Sequence, residues 1–510
     1  MSEQKVKKDK GSKRYVYLVI LVASFIAAYV YTFDSKLAML GDNASYYILG
    51  KALSQGEGYV SINSISHRPN NHYPPGYPAI ISTILLFTKA ITPIKILNGI
   101  FFILGLWLFF DLINKVTDNE AFAFTATFMA LLNSHMLWYS SIMMSEIPFF
   151  FFSTLSLWAF VNIDQEKWLW KDPYLILCII TMIISYYIRS LGIALLGGYI
   201  LYFIFQKKWK PILGFFIAFV VGALPWFIRS QKLGGGSYMK QLGMINPYQP
   251  ALGKADFGDF VDRFFSNFSR YITFEIPSAI FPLKEPEYGS SYSAEDWLLG
   301  VVIVGLFFYG VFSLPKYRWL ILGYTLGTLA ILMIWPDVWI GVRFIVPLIP
   351  LFTLGFLYGL YDGILKLRGL LSFKKPVSPY LLLAFSLLYI KPVNAIHDQA
   401  RVPYMPGWRN YFEIAKWVDR NLEEGVVVSC GKPSLFYLYA DTYTRRYKFA
   451  QDPKELIADL EKHAVDYVVI DQVYGNTIRY LLPAVRQYPE RFEQVYHLKN
   501  PDTFLLKFKR

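Results

Sequence analysis

Long stretches without one ionised side chain recur through the first four-fifths of the chain, and they restrict its possible folds more than any other feature. Residues 15–33 and 211–228 hold none at all. Each stretch is close to the roughly 17–25 residues that an α-helix needs to cross a bilayer. With 55% apolar and 18% aromatic residues among 510, the chain is too apolar for a soluble globule and reads as a polytopic membrane protein. A net charge of +13 would suggest nucleic acid for a soluble chain. Here the excess sits largely in short loops between apolar runs, where the orientation of spans accounts for it, and no nucleic-acid partner is expected.

Lys5 to Arg14 form a basic, irregular head (residues 1–14), which puts the N-terminus in the cytoplasm by the positive-inside rule. The first apolar run ends in Tyr29, Tyr31 and Phe33 without a small-x-small cleavage site, so it is expected to stay as an uncleaved anchor. Residues 77–90 decide the topology. They are apolar but too short to cross, and a crossing there would carry Lys207, Lys208, Lys210, Lys366, Arg368, Lys374 and Lys375 outside. A helix lying along the outer surface keeps every one of these inside. Spans are then expected near 15–33, 94–113, 121–140, 148–163, 174–189, 191–206, 211–228, 297–314, 319–335, 343–361 and 378–391, about eleven in all. Two long loops, 34–93 and 229–296, face outward.

The loop GDNASYYILGKALSQGEGYVSINSISHRPNNHYPPGYP at 41–78 concentrates polar and aromatic groups: Asp42, Tyr46, Tyr47, His67, Arg68, His72 and Tyr73. Asp42 is either a helix-capping residue for the segment that follows or a carboxylate available for acid–base work. Glu146, in SEIP at the outer end of a span, allows the same two readings. Arg68, Arg189, Arg229 and Arg343 fall at outer span ends or in outward loops. Such arginines either snorkel to head groups or gather around a phosphate, which guanidinium groups bind bidentately. His67 and His72 either ligate a divalent metal, stabilise phosphate charge, or are satisfied within the loop. No C-x-x-C or H-x-x-x-H spacing occurs, and no disulfide is expected between Cys178 and Cys430. In the second loop, Phe260, Phe264, Phe268 and Tyr271 recur at helical spacing, either as an interfacial helix or as a mobile cover.

From residue 392 the pattern becomes that of a small soluble α/β domain (392–510). Helices are expected at 409–421, 433–440 and 477–488, and after the start signal Asp452-Pro453-Lys454-Glu455. Strands are expected at 426–430, 466–471, 492–498 and 503–509, the last two flanking Asn500-Pro501-Asp502. No phosphate-cradling glycine motif is present. Span parity places this domain outside.

GDNASYY, HYPPGYP, SEIP at 145–148, YYIRSLG at 186–192 and VRFIVPLIP at 342–350, in that order, resemble the GT-C membrane glycosyltransferases. The likeness is to the branch of the protein O-mannosyltransferases and lipid A aminoarabinose transferases, with the 15–391 region as its transmembrane catalytic domain. The sequence departs from many relatives in having Asp42-Asn43 where they carry Asp-Glu. What the resemblance implies is transfer of a sugar from a polyprenyl-phosphate donor to an acceptor hydroxyl on a lipid, glycan or protein at the outer face of the plasma membrane. Asp42 would be the general base of an inverting displacement, Glu146 a second catalytic carboxylate, and Arg189, Arg229, Arg343 and Arg68 the phosphate ligands. A divalent metal is an open possibility in this reading. The competing readings are a lipid or sugar transporter, a non-catalytic cell-envelope assembly protein, and a ligase or oligosaccharyltransferase with a diphosphate-linked donor, of which the oligosaccharyltransferase is disfavoured by the modest size of the C-terminal domain.

Overall fold

The computed structural model describes residues 2–164, 171–283, 288–289, 291–372 and 375–510, with side chains from Lys13 onward. Lys374, expected on the inner side, lies outside the described residues. In chain order, helices α1 (Ser2–Thr32), α2 (Asp42–Ser54) and α3 (Gly76–Leu85) are followed by α4 (Thr92–Thr117), α5 (Glu120–Leu132), α6 (Ser134–Ser140) and α7 (Glu146–Asn162). Then come α8 (Pro173–Ile188), α9 (Ile193–Phe205), α10 (Trp209–Lys232), α11 (Ser237–Leu242), α12 (Phe257–Arg270) and α13 (Ile276–Ile280). The last helices of the apolar region are α14 (Ala294–Ser313), α15 (Arg318–Met333), α16 (Ile349–Leu370) and α17 (Ile390–Arg401). The C-terminal helices are α18 (Pro406–Asn421), α19 (Pro433–Ala440), α20 (Pro453–Lys462) and α21 (Leu482–Gln487).

Every expected span overlaps helix, although residues 342–348 form two short 3₁₀ turns and Pro379–Tyr389 a 3₁₀ helix. Six segments are long and apolar enough to cross a membrane by length and composition: Lys13–Thr32, Thr92–Thr117, Trp209–Lys232, Ala294–Ser313, Val346–Leu370 and Pro379–Arg401. Helices α5, α7, α8, α9 and α15 are shorter, at 13–17 residues. The expected span 121–140 is interrupted at Asn133, whose side chain accepts from His135 N and Met136 N and donates to Ala279 O at 2.7 Å. The basic head does not form an irregular tail; the backbone of α1 already begins at Ser2, as lysine's good helix propensity allows. Segment 77–90 is α-helical only as far as Leu85, in the ten-residue α3 that begins at Gly76, roughly 15 Å long at 1.5 Å per residue and too short to cross.

The chain divides into two compact units that do not follow its linear order. The first comprises Met1–Ser35, Asn71–Gly76 and Ile91–Ala400; the second comprises Lys36–Asn70, Tyr77–Ala90 and Arg401–Arg510. In the first unit, helices meet through small residues, because in lipid close backbone approach and dispersion replace the hydrophobic effect. A Cβ on Gly310 would lie 1.8 Å from Gly355 O, where α14 crosses α16, and one on Gly198 would lie 3.1 Å from Leu320 O on α15. The outward face of α10 is the reverse of a soluble helix, with Leu213, Phe216, Ile217, Val220, Val221 and Leu224 exposed, as a lipid-facing surface requires.

The second unit is built on a five-stranded sheet. Strands β1 (Val60–Ser61) and β2 (Arg68–Pro69) form a separate antiparallel pair. The sheet itself contains β3 (Val427–Ser429), β4 (Tyr443–Arg445), β5 (Tyr467–Ile470), β6 (Phe492–Leu498) and β7 (Thr503–Phe508), in the order β4-β3-β5-β7-β6. Strand β3 is parallel to both neighbours, while β7 runs antiparallel to β5 and β6. Val468, Ile470, Leu456, Leu460, Leu481 and Phe508 pack into its core. Strand β4 was not anticipated, since three residues carry no readable alternation. Residues 36–70 belong to this unit physically: Ile48 and Ala52 of α2 and Ile62 cluster with Tyr437 of α19. Asn63 O accepts from Thr444 N at 2.7 Å, and Lys51 pairs with Asp441. Cys178 and Cys430 are both buried free thiols.

Candidate active site

A buried cluster of charged side chains in the first unit begins at the N-terminus of α7. Asn98 of α4 donates to the carbonyls of Ile142 (2.7 Å) and Met144 (3.0 Å), fixing the turn that leads into the helix. Glu146 is the first helical residue, where the helix dipole favours a carboxylate, and its side chain is 0% exposed. Helix α8 stops at Arg189, whose extended backbone (φ −145°, ψ 133°) turns the chain into the 3₁₀ segment Ser190–Gly192. Gly192 is required there: a Cβ would sit 2.4 Å from Tyr186 N. From this corner Arg189 Nη1 reaches Glu146 Oε1 at 2.7 Å and Ser145 Oγ at 3.1 Å.

A second guanidinium arrives from the other end of the unit. Arg343 stands in the 3₁₀ turn Val342–Phe344 and donates from Nε to the same Glu146 Oε1 at 3.3 Å. Gly341, at φ 125°, permits that turn, because L-residues with side chains rarely adopt this angle. Its N–H donates to Glu275 Oε1 at 3.2 Å. Glu275 ends a π-helical turn (Tyr271–Glu275) that continues α12, and Arg270 Nε lies 2.8 Å from the same carboxylate oxygen. Arg270 also donates to Asp337 O (3.0 Å) and Trp339 O (3.4 Å). Helix α12 thus holds the turn that presents Arg343. Burial pushes the Glu275 carboxyl above its ordinary range, against the lowering effect of Arg270.

Two guanidinium groups therefore share one buried carboxylate oxygen. Glu146 Oε2 is buried without a hydrogen-bond partner among the described residues, an acceptor of the kind that native structures normally satisfy. Beside this cluster runs an aromatic series. The His72 ring stacks on Tyr238 (4.9 Å), Tyr238 meets Trp339 edge-on (6.1 Å), Trp339 meets Trp335 (5.2 Å), and Trp335 meets Phe344 (5.0 Å). His72 Nδ1 is 2.9 Å from Ser237 Oγ, and Tyr73 packs against the His72 ring at 4.4 Å. Arg229, in the last turn of α10, carries its guanidinium 5.3 Å from the Trp226 ring centre.

The remaining candidates belong to the second unit. Gly41, with φ 83°, takes the N-cap position of α2, and Asp42 follows as the first helical residue, half-buried. The simple capping role is therefore not the one Asp42 fills. Tyr46 packs edge-on against Tyr77 at 5.2 Å, and Tyr47 donates to Lys89 O at 2.8 Å. His67 Nδ1 lies 3.5 Å from Glu57 Oε2, and Arg68 Nε donates to Ser66 Oγ at 3.2 Å. Among the described residues no group of three or more His, Cys, Asp or Glu side chains is arranged to hold a metal ion.

Sequence reasoning singled out Glu146, Arg189 and Arg343, which the structure brings together. It missed Asn98, Arg270, Glu275, Trp335 and Trp339. Arg270 and Glu275 stand five apart, at a spacing that an ordinary α-helix does not place on one face, and only the π-helical turn brings them together.

No family model matches the sequence, and no curated protein matches it. Solved structures do. The chain is similar to ArnT from Cupriavidus metallidurans bound to undecaprenyl phosphate, at a TM-score of 0.60 and 12% identity over 96% of this chain and 98% of that one. The apo state of the same ArnT aligns at a TM-score of 0.58 and 12% identity, over 97% and 98% of the two chains. The oligosaccharyltransferase of Archaeoglobus fulgidus, tethered to an acceptor peptide containing the NVT sequon by a disulfide bond, aligns at 0.55 and 12% identity, over 97% of this chain and 74% of that one. This chain has the GT-C fold. It is an integral membrane protein of largely helical architecture with a small C-terminal sheet region.

Proposed function

We propose that the protein is a membrane glycosyltransferase that moves a sugar from a polyprenyl-phosphate donor to an acceptor hydroxyl at the outer face of the membrane. The observation that carries this reading is the pair Arg189 and Arg343 on Glu146 Oε1, at 2.7 and 3.3 Å. A glycosyl phosphate leaves readily when fixed cations meet the charge that grows on its oxygens. Two arginines held rigidly by one carboxylate supply such cations without reorganising. In this reading Glu146 is a positioning residue, and its burial between guanidiniums suits that role better than proton transfer. The similarity of fold to a protein crystallised with undecaprenyl phosphate supports a polyprenyl carrier.

The acceptor hydroxyl is a poor nucleophile at neutral pH, and a positioned carboxylate that takes its proton contributes roughly 10²–10⁴-fold. Asp42 is assigned this role. A single displacement with one base inverts the anomeric carbon. The acceptor class is a lipid, glycan or protein hydroxyl. The test is transfer in proteoliposomes charged with polyprenyl-phosphate sugar and an envelope extract as acceptor, read by mass spectrometry. Arg343→Ala is expected to raise the donor KM and lower kcat, and Asp42→Asn to lower kcat with donor binding retained. Wild-type transfer by Asp42→Asn would remove the base assignment. Wild-type transfer by Arg343→Ala would remove the phosphate assignment.

A further inference from the structure

The C-terminal sheet carries a second cationic site, independent of the reading above. Strand β3 connects through α19 to β4 on one side, whereas β5 lies on its other side and leads on toward β6 and β7. The order of the parallel strands therefore reverses between β3 and β5. In open α/β sheets the crevice beyond the carboxyl ends of strands at such a reversal is where ligands bind. The segments that emerge there are 430–432 after β3, 446–449 after β4 and 471–476 after β5.

These segments are tightly fitted. A Cβ on Gly431 would come within 3.2 Å of both Asp471 Oδ2 and Tyr474 Cβ, so a larger residue would press the two loops apart by a few tenths of an ångström. Asp471 is fully occupied as an internal brace, accepting from Val473 N (3.0 Å), Tyr474 N (3.1 Å) and Thr477 Oγ1 (3.0 Å). The brace fixes Tyr474. Lys432 Nζ lies 4.4 Å from the centre of that ring, and Arg446 Cζ lies 5.9 Å from it and 5.7 Å from Phe449. Phe449 in turn stacks on Tyr480 at 5.2 Å.

The neighbouring cations are neutralised: Arg445 by Asp459 at 3.0 Å and Lys448 by Glu455 at 2.7 Å. Lys432 and Arg446 have no ion-pair partner among the described residues. Burial and the nearby Arg446 both lower the Lys432 pKa, while Asp471 acts to raise it. A carboxylate would balance one of them. A phosphomonoester, with close to two negative charges at neutral pH, balances both, and the exposed Phe449 ring beside the half-buried Tyr474 offers an apolar face to whatever bears it.

We propose that Lys432, Arg446 and Tyr474 form a binding site for a phosphomonoester, carried on a soluble sugar or on a lipid head group. The experiment titrates the full chain in detergent with glucose 1-phosphate, with inorganic phosphate and with neutral glucose, by calorimetry, beside flotation with phosphatidic acid or phosphatidylcholine vesicles. Arg343→Ala serves as the background in which the other cationic cluster is disabled. The proposal expects the phosphorylated probes, but not glucose, to bind wild type and Arg343→Ala alike. Arg446→Glu, at an exposed position, should weaken that binding by about tenfold or more, as loss of a charge-assisted contact does. The charge-conserving Lys432→Arg should hold it within about threefold. Selective flotation with phosphatidic acid that Arg446→Glu abolishes assigns the lipid source instead of the soluble one. Unchanged binding by Arg446→Glu overturns the site, and so does loss of all binding in Arg343→Ala.

Discussion

At the scale of single residues, Glu146 is the most consequential side chain in the first unit. It is 0% exposed and pairs with Arg189, itself only 10% exposed. Removing one partner of a buried pair leaves a charge without an answer, at about 3–5 kcal/mol. Glu146→Ala is therefore expected to lower the thermal unfolding midpoint as well as transfer, whereas Arg343→Ala, at a more exposed position, lowers transfer with a smaller effect on unfolding. Differential scanning fluorimetry of both variants separates the two effects. In the second unit Asp471 makes one pH-dependent contribution. Burial pushes its carboxyl up to about 6 despite the hydrogen bonds it accepts. A raised acid favours the folded state while protonated: the contribution is complete below the ordinary carboxylate range and is lost as pH rises through about 6. The shift corresponds to roughly 3 kcal/mol. Hydrogen exchange across residues 467–474 between pH 4 and 7 should show protection falling as pH rises, and Asp471→Asn should flatten that slope. The residue types at the first site were legible because the sequence reading put these arginines at outer span ends, against the usual charge bias. That two of them would meet on one oxygen was not legible, since Glu146 and Arg343 are 197 residues apart.

At the scale of elements, α12 inverts the usual amphipathic rule. Its polar residues Arg263, Asn267 and Arg270 are the buried ones, whereas Phe257, Val261, Phe264, Phe265 and Phe268 are exposed. Arg263 donates to the carbonyls of Leu242, Met244 and Ile245. Asn267 donates to those of Leu332, Met333 and Trp335. Buried donors are thus spent on backbone carbonyls in the last turns of α11 and α15 and in the segments just beyond them, while the aromatic stripe faces outward. The recurrence of phenylalanines announced the helix. It did not say which face would be buried, because in a soluble protein the aromatic face would be. An aromatic face presented to the bilayer boundary accounts for both observations. Phe265→Trp is expected to emit at short wavelength and to be quenched by lipids brominated along their chains; a solvent-like emission without quenching would place this face in water. The polar side of α12 reaches the candidate site through Arg270, Glu275 and Gly341. Arg270→Ala should therefore raise the donor KM through Arg343 while leaving the spans folded, as measured by transfer kinetics beside far-ultraviolet circular dichroism.

At the scale of the whole molecule, the division into units departs from any linear partition. Residues 36–70 lie far in sequence from the sheet that they help to complete through Ile48, Ala52, Ile62, Lys51 and Asn63. Residues 401–510 expressed alone would expose the Tyr437 surface and leave Asp441 without Lys51 and Lys89. They are expected to aggregate or unfold at lower temperature than the same segment supplied with residues 36–90, by size-exclusion chromatography and thermal unfolding. The sequence by itself determined that the chain is a polytopic membrane protein, which segments are apolar helices, that α3 is too short to cross, and most of the strands and helices of the C-terminal region. These properties depend on run length, periodicity and turn chemistry, all of which act within a few residues. Only the tertiary structure decided that two distant arginines share Glu146, that a π-helical turn joins Arg270 to Glu275, that α12 buries its polar face, and that the first loop folds with the last hundred residues. Each of these depends on contacts between segments far apart in the chain, where apolar or charged character states that a partner is needed but not which one.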